Sequence, residues 1–439
     1  VIVNATIQEL VPENRVSDKQ PSRHEELLDQ SARQLNVRGV LRTSLAEIAA
    51  KLGVSRNALY YYVSGREELL FQCYQRAAQI SAARLTDAIR AGGNAADVLT
   101  QFVVRTMDPK GPEIAYRTEI AMLNPAQRVE IQALREALIM RLAELIETGQ
   151  RQGVIRACDP DINARVALSV TSWVPLSRRW MAAVEPQGAS RLQMAAVQTL
   201  VEGLSPHVSP GYFQPLDLSE LVRRGHRAFD RDGASEAKRE LVLRTASRLF
   251  NRKGIDSTSL EEIAAQVGAT KRTVYHHLGN KQALVMACYE RAYRIFFFII
   301  DGMKAHPGTR LEALAAALHA VALAYPDEDL TPLSPLVGFA TLVPKARAKM
   351  NDYGLRLSSD YRSVLRQGIK EGSLREVDVT PHTLMLAGLT SWLVREDMPT
   401  EPTRRQQIAQ EIANLVMVGL ATRAVHADSA RAGPQSCAP

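Results

Sequence analysis

Cysteine is scarce and unpatterned in this sequence. The four residues, Cys73, Cys158, Cys288 and Cys437, form no CxxC pair and no Cys/His ligand spacing. That disfavours a disulfide scaffold and a zinc site and fits a reducing, cytoplasmic setting. Long apolar runs are missing too. The longest, Ile295 to Ile300, falls far below the roughly 18 residues of a membrane span, and the opening Val-Ile-Val-Asn-Ala has no charged region before an apolar stretch. Neither membrane insertion nor secretion is expected. No Gly-rich phosphate loop, Ser/His/Asp constellation or metal-ligand spacing is readable, so no enzyme activity, cofactor or metal is expected. His276 and His277 are neighbours, and neighbours on a helix point different ways, which argues against a metal pair. Strand-like alternation is absent over any convincing length.

What is present describes an ordinary globular chain. Hydrophobic residues make up 46% and charged residues 23% of 439 positions, enough apolar material for a core and a length that suggests two or three domains. A net charge of +7, with pI near 9.2, permits an anionic partner such as nucleic acid without demanding one.

The two halves of the chain repeat each other. Residues 39–77 align without a gap on residues 254–292, an offset of 215, with 15 of 39 positions identical. The identities include Thr43/Thr258, Tyr60/Tyr275, Cys73/Cys288 and Tyr74/Tyr289. A fainter echo follows at an offset of 219: Gly149, Gly153, Arg156, Asp159 and Thr171-Ser172-Trp173 recur as Gly368, Gly372, Arg375, Asp378 and Thr390-Ser391-Trp392. A unit of nearly half the chain means two similar domains and not a solenoid. The expected division is a disordered tail at 1–20, a first head at 21–78, a helical region at 79–205, a Pro/Gly/Ser-rich linker at 206–235, a second head at 236–293, a helical region at 294–425 and a tail at 426–439.

The expected fold is all-α. In 238–250, Leu241, Val242, Thr245, Ala246, Leu249 and Phe250 recur at spacings of three and four, the stripe of an amphipathic helix. Ser44/Glu47 and Ser259/Glu262 read as capping boxes, each opening a short helix that stops at Gly53 or Gly268. Second caps at Ser55 and Thr270 open a helix through Tyr62 or His277. Helix, glycine-containing turn, helix is the helix-turn-helix signature, whose second helix enters the major groove of DNA. That helix offers Ser55, Arg56, Asn57, Tyr60 and Tyr61 in one half, and Thr270, Lys271, Arg272, Thr273, Tyr275 and His276 in the other. Arg and Lys can donate to guanine, Asn can pair with adenine, and hydroxyls suit phosphates. Leu59 and Val274 should face the core.

The stretch Thr258-Ser-Leu-Glu-Glu-Ile-Ala-Ala-Gln-Val-Gly268 through Leu284, and equally Thr43 to Leu69, resembles the DNA-binding domain of the TetR (tetracycline repressor) family of bacterial transcription regulators. The resemblance implies that Tyr275, His277 and Lys281 meet phosphates and that Lys271 to Thr273 face bases. In the first half the matching positions are Tyr60, Tyr62 and Arg66, with Arg56 to Ala58 facing bases. It further implies a repressor that binds double-stranded operator DNA and is released by a small molecule. Family members commonly carry Gly two residues after the cap, where this chain has Asn57 and Arg272, and most hold one head per chain.

The charge of the heads differs. Residues 22–72 hold seven Lys/Arg against six acids, and residues 235–287 hold nine against five, net charges of +1 and +4. Head 2 should dominate DNA binding. The alternative for head 1 is a protein-interaction module that no longer binds DNA. Arg223-Arg224-Gly-His-Arg227 reads as a solvated linker or as a minor-groove arm. Cys73 and Cys288 read as packed core residues, with redox sensing as the other reading. A small, largely apolar effector is expected among the helices, with Phe102, Tyr116, Trp173, Phe298, Phe339 and Trp392 as candidate lining; Trp173 and Trp392 equally suit plain core. The last two helices of each domain, about 161–184 with 190–204 and 381–396 with 403–425, should pack as an internal pseudo-dimer. Leu192, Ala196, Leu200 and Gly203 would then meet Ile408, Ile412, Leu415 and Gly419.

Overall fold

The computed structural model describes residues 22–422 apart from 41, 118, 182–187, 208–211, 226–230, 336, 340–341, 395–397 and 400. Both expected tails, with Cys437, lie outside the described residues. Among the described residues the chain is helical with no strand, only an isolated antiparallel bridge between Ile155 and Ala421. The first half contains α1 (Arg23–Arg38), α2 (Leu45–Lys51), α3 (Arg56–Leu59), α4 (Arg66–Arg90), α5 (Ala95–Thr106), α6 (Pro125–Arg151), α7 (Pro160–Met181) and α8 (Ala189–Val197). A single turn at Ile120–Met122 precedes α6, and α8 runs on as a π turn, Gln198–Glu202. After α9 (Ser219–Gly225) the second half repeats the order: α10 (Arg231–Lys253), α11 (Leu260–Gln266), α12 (Lys271–Leu278), α13 (Lys281–Ala305), α14 (Arg310–Ala324), α15 (Pro344–Glu371), α16 (Val379–Thr390) and α17 (Pro402–Val418).

Local chemistry sets most of the helix ends. Ser44, Ser55, Ser259 and Thr270 each accept a free backbone N–H of the helix they open. The reciprocal boxes expected at Ser44/Glu47 and Ser259/Glu262 are only half formed. Glu47 pairs with Arg38 and Glu262 with Lys253, because a full positive charge holds a carboxylate more strongly than a neutral N–H does. Complete boxes form instead at Asn94/Asp97, Asn124/Gln127 and Thr309/Glu312. The second helices of the two heads also differ from the expected matched pair. Helix α12 runs eight residues, whereas α3 has four and gives way to tight turns through Tyr60 to Tyr62. Three consecutive tyrosines before Ser64-Gly65 have little helix preference to extend it.

The linker is not a bare spacer. Phe213 is buried and meets His319 edge-on at 5.5 Å, the Gln214 carbonyl lies 3.0 Å from the His306 Nε2, and Leu216 packs against Gly302. The chain therefore returns along the outside of the second half. His226 and Arg227 of the basic stretch, with the rest of 226–230, fall outside the described residues, as do the Arg223 and Arg224 side chains.

The halves meet through α7, α8, α16 and α17. Their contact is led by α7 against α16, with α8 against α16, while α17 meets α7 and the π turn after α8. The expected α8–α17 stripe is thus met chiefly at its far end: among the described residues it is the stretch from Leu200 to Gly203 that packs on α17. At that end Gly203 and Gly419 cross as the stripes pair them, and a Cβ on either would lie 2.3–2.4 Å from the backbone of the other segment. This approach lets Leu204 N–H and Ser205 N–H donate to the Val416 and Met417 carbonyls at 2.9 and 2.7 Å, and Ala421 N–H to Val201 at 2.8 Å. The fainter sequence echo finds its role here. Arg156 N–H donates to Leu420 and Arg375 N–H to Leu204, both at 2.9 Å, while Asp159 pairs with Arg404 and Asp378 with Arg191, each at 2.5 Å.

Candidate nucleic-acid interface and effector cavity

Each head is a small core that turns its second helix outward. In head 1, Leu27, Leu28, Ile48, Leu59, Leu69 and Leu70 are buried together, as are Leu243, Phe250, Ile263, Val274, Leu278 and Leu284 in head 2. Leu59 and Val274 face inward as expected. Ser55, Arg56, Asn57, Tyr60, Tyr61, Tyr62 and Arg66 are exposed, Tyr61 by 91%. In head 2, Thr270, Lys271, Arg272, Tyr275 and His276 are exposed, and Thr273 and Lys281 half-buried; the His277 side chain lies outside the described residues.

The outward faces share one arrangement. The Arg56 guanidinium lies 5.9 Å from the Tyr60 ring centre and donates to its hydroxyl at 3.2 Å, and the Lys271 ammonium lies 5.7 Å from the Tyr275 ring. A cation thus sits beside each tyrosine on the solvent face. Lys271 also pairs with Glu261, which raises the lysine's pKa and lowers the carboxylate's. Tyr62 is held differently: its ring stacks on His24 at 5.6 Å, within 9° of parallel, and its carbonyl accepts from Gln72.

Sequence reasoning missed how the heads are tied to the helical regions. Arg76 reaches Glu25 at 2.7 Å and the Glu113 carbonyl at 2.9 Å, and Arg291, 215 positions on, pairs with Glu240 and reaches the carbonyls of Asp329 and Leu330. Asn36 donates to Ile114 and accepts from the Tyr116 N–H, while Asn251 donates to Pro332 and accepts from the Ser334 N–H. The signal was available: an arginine repeated inside an otherwise apolar stretch, with a glutamate and an asparagine at the same offset. Cys73 and Cys288 belong to the core, each thiol directed at a carbonyl of the first helix of its head, Leu28 or Leu243. Burial pushes both thiols up to about 12, which leaves them unreactive near neutral pH.

Alanine at Arg291 should lower the unfolding midpoint of the second half sharply, by a loss of about 3–5 kcal/mol, because Glu240 and the carbonyls of Asp329, Leu330 and Thr331 lose a buried partner. Alanine at Arg239, whose pair with Glu236 is exposed, should change stability by under about 1 kcal/mol. Thermal unfolding of the two variants side by side checks the contrast.

Two cavities flank the junction of the halves and share Trp173 and Ser391 as wall. The larger, about 210 Å³, lies in the second half against Tyr289, Tyr293 and Phe296 of α13, Tyr325, Phe339 and Tyr361. The smaller, about 120 Å³, lies in the first half and includes Tyr116, Arg117, Arg135 and Trp392. Of the candidate lining residues, Trp173 and Phe339 border the larger cavity and Tyr116, Trp173 and Trp392 the smaller. Phe102 and Phe298 border neither. Phe102 is wholly enclosed in the α5 core, and Phe298, half-buried, is one of three consecutive phenylalanines that cannot all face the same side of a helix.

Paired helix-turn-helix heads with solvent-facing cations and tyrosines, carried on helical bodies, define a DNA-binding regulator. The chain belongs to the TetR family. The N-terminal domain described as "Bacterial regulatory proteins, tetR family" matches residues 27–73 and again 242–288, and a "Tetracyclin repressor-like, C-terminal domain" matches residues 96–204. The HTH-type transcriptional repressor KstR2 of Mycobacterium tuberculosis (strain H37Rv) is 27% identical over 207 residues, which is 98% of that protein and 44% of this chain. KstR2 of Rhodococcus jostii (strain RHA1) is 28% identical over 96% of its length, again 44% of this chain. Among solved structures, the TetR family transcriptional regulator PfmR from Thermus thermophilus is 26% identical, with 95% of that chain and 41% of this one covered and a TM-score of 0.36. A whole relative therefore corresponds to less than half of this chain. Among the described residues no helix is long and apolar enough to cross a membrane.

Proposed function

We propose that this chain is a cytoplasmic, ligand-responsive repressor that sets two unlike heads on one operator and leaves it when an apolar effector enters the second half. The observation that carries the reading is the repeated head itself: an exposed helix with a cation over a tyrosine, Arg56/Tyr60 and Lys271/Tyr275, at matched positions. Ser55 to Asn57, Tyr60 to Tyr62 and Arg66 in head 1, and Thr270 to Thr273, Tyr275 to His277 and Lys281 in head 2, are the contacts to DNA. The packing of α7 and α8 on α16 and α17 would let one chain present both heads as an internal pseudo-dimer. The name of the KstR2 relatives supports repression.

Effector coupling has a physical route in the second half. The segment 329–339 touches the head through Asn251, Arg291 and Ile255, and borders the larger cavity through Ser334 and Phe339. Helix α13 begins in the head, with Leu284 and Val285 in its core, and reaches the cavity at Tyr289 and Tyr293. A ligand that favours one position of this segment shifts the population of head spacings by its differential affinity for them.

Selection of bound duplexes from a random pool tests the reading. The expected site is an imperfect palindrome with unlike halves one helical turn apart, because Arg56-Asn57-Ala58 and Lys271-Arg272-Thr273 present different groups. Affinity should fall about a thousandfold or more between 50 and 200 mM salt if six or more phosphates are met. Absent or salt-independent binding to every duplex sinks the proposal.

The alternative, a first head that serves protein interaction, is favoured by one observation: α3 has only four helical residues. A selected site with a single half and no dependence on Arg56 would support it.

A further inference from the structure

The larger cavity is unusual in what its wall omits. Among the described residues that border it there is no Lys, Arg, His, Asp or Glu, although charged residues make up 23% of the chain. A carboxylate or phosphate seated among these residues would shed hydration with no counter-charge on the wall, a penalty that grows with the depth of its burial. At about 210 Å³ the space also lies below the roughly 300–1,000 Å³ usual for drug-sized ligands, which excludes a large cofactor-like molecule from being swallowed whole.

What the wall does offer is aromatic and hydroxylic. Tyr293 and Phe296 stand at 85° with centres 6.2 Å apart, and Phe296 and Tyr325 at 60° and 6.2 Å, so the rings present faces and edges around a slot suited to a flat or ring-shaped guest. Two of the tyrosines already use their hydroxyls: Tyr289 donates to the Val337 carbonyl and Tyr293 to that of Met350. The hydroxyls of Tyr325 and Tyr361 make no hydrogen bond to a described residue, and burial raises the pKa of both, so each remains a protonated donor. Neither hydroxyl is among the fully enclosed unpartnered atoms, so both open onto accessible space where a guest can supply an acceptor. The wall is also shared between halves. Trp173 of α7 crosses into the second half, its indole N–H donating to the Leu384 carbonyl at 2.9 Å beside the cavity.

We propose that this cavity takes one uncharged, compact ring compound bearing a ketone or hydroxyl oxygen, which accepts from Tyr325 and Tyr361 and is closed over by Trp173 from the other half. The inference rests on the effector reading above and narrows it to a ligand class. It also assigns the ligand a position against α7 and α16, the helices that join the halves, so that one molecule per chain bears on both heads.

The test uses 2-naphthol and 2-naphthoate, which share a ring system and differ in charge, titrated calorimetrically into the full chain. The expected result is one site per chain for 2-naphthol, with 2-naphthoate at least tenfold weaker. Tyr325→Phe with Tyr361→Phe should weaken 2-naphthol about tenfold while preserving shape. Gly354→Leu should abolish binding, because a Cβ there meets nothing nearer than the Tyr293 hydroxyl at 3.6 Å and the rest of the leucine would occupy the slot that Gly354 borders. Equal or tighter binding of 2-naphthoate, 2-naphthol binding that survives Gly354→Leu, or binding of neither compound overturns the proposal. A gel shift separates this from the effector reading. If 2-naphthol binds in the cavity yet leaves DNA affinity unchanged, the ligand class stands and release by effector falls. If only 2-naphthoate binds and releases DNA, release stands and the ligand class falls.

Discussion

Alanine at both Lys271 and Arg272 should lower affinity for the selected operator by about a hundredfold or more, whereas alanine at both Arg56 and Asn57 should cost about tenfold. Each good base contact is worth about 1–3 kcal/mol of discrimination, and each phosphate contact adds counterion release. Head 2 is better equipped on both counts. Its net charge is +4 against +1, and α12 runs eight residues where α3 runs four, so more of its surface can follow the groove. Part of the gain is offset because Lys271 must leave Glu261. Replacing Glu261 with Gln should therefore tighten binding modestly. Titrations at two salt concentrations, with all variants on one duplex, give both the affinity and the salt slope. Equal losses in the two heads would show that charge and helix length do not rank them.

Alanine at Gly419 should lower the unfolding midpoint more than any exposed glycine substitution, by a loss of about 3 kcal/mol or more. Two effects act together. Gly419 has a φ of 63° and a ψ of −160°, a backbone region essentially confined to glycine that costs a residue with a Cβ about 1–3 kcal/mol. The added methyl would also lie 2.4 Å from the Val201 carbonyl oxygen and 2.5 Å from the Gly203 nitrogen, and backbone held by a ladder of hydrogen bonds cannot step aside as a flexible side chain can. Gly39 supplies the control. Its φ of 74° and ψ of 173° put it in the same backbone region, but a Cβ there meets nothing within 4 Å, so alanine at Gly39 isolates the conformational part. Denaturant unfolding of the two variants should show a difference of about 2 kcal/mol or more. Equal losses would mean that the Gly203–Gly419 crossing does not hold the halves together.

The repeat, the all-α class and the two heads were legible in the sequence because each depends on local spacing. Ser44, Ser55, Ser259 and Thr270 cap from within three residues, and apolar positions at three and four settle which face is buried. Where a local rule met a competing partner, the reading failed. Glu47 and Glu262 had the right spacing for reciprocal caps, but Arg38 and Lys253 come from the preceding helix and win the carboxylates. The stripe of α8 against α17 was met at one end: Gly203 crosses Gly419 as the two stripes pair them, while α8 itself turns to α16, because an apolar stripe fits several neighbours.

The echo of Arg156 and Asp159 in Arg375 and Asp378 shows the boundary most plainly. Its presence was a fact of the sequence, yet its use was not, because the partners Leu420, Arg404, Leu204 and Arg191 all lie in the opposite half. By itself the sequence determined that there are two family heads, which residues cap and fill them, and which side chains stand on their outward helices, since these follow from contacts within about one turn. Only the tertiary structure decided that Trp173 walls a cavity in the other half, that Arg76 and Arg291 tie heads to bodies, and that Phe102 is core. Those outcomes depend on which helix faces cross in space, and no periodicity along one chain encodes the choice.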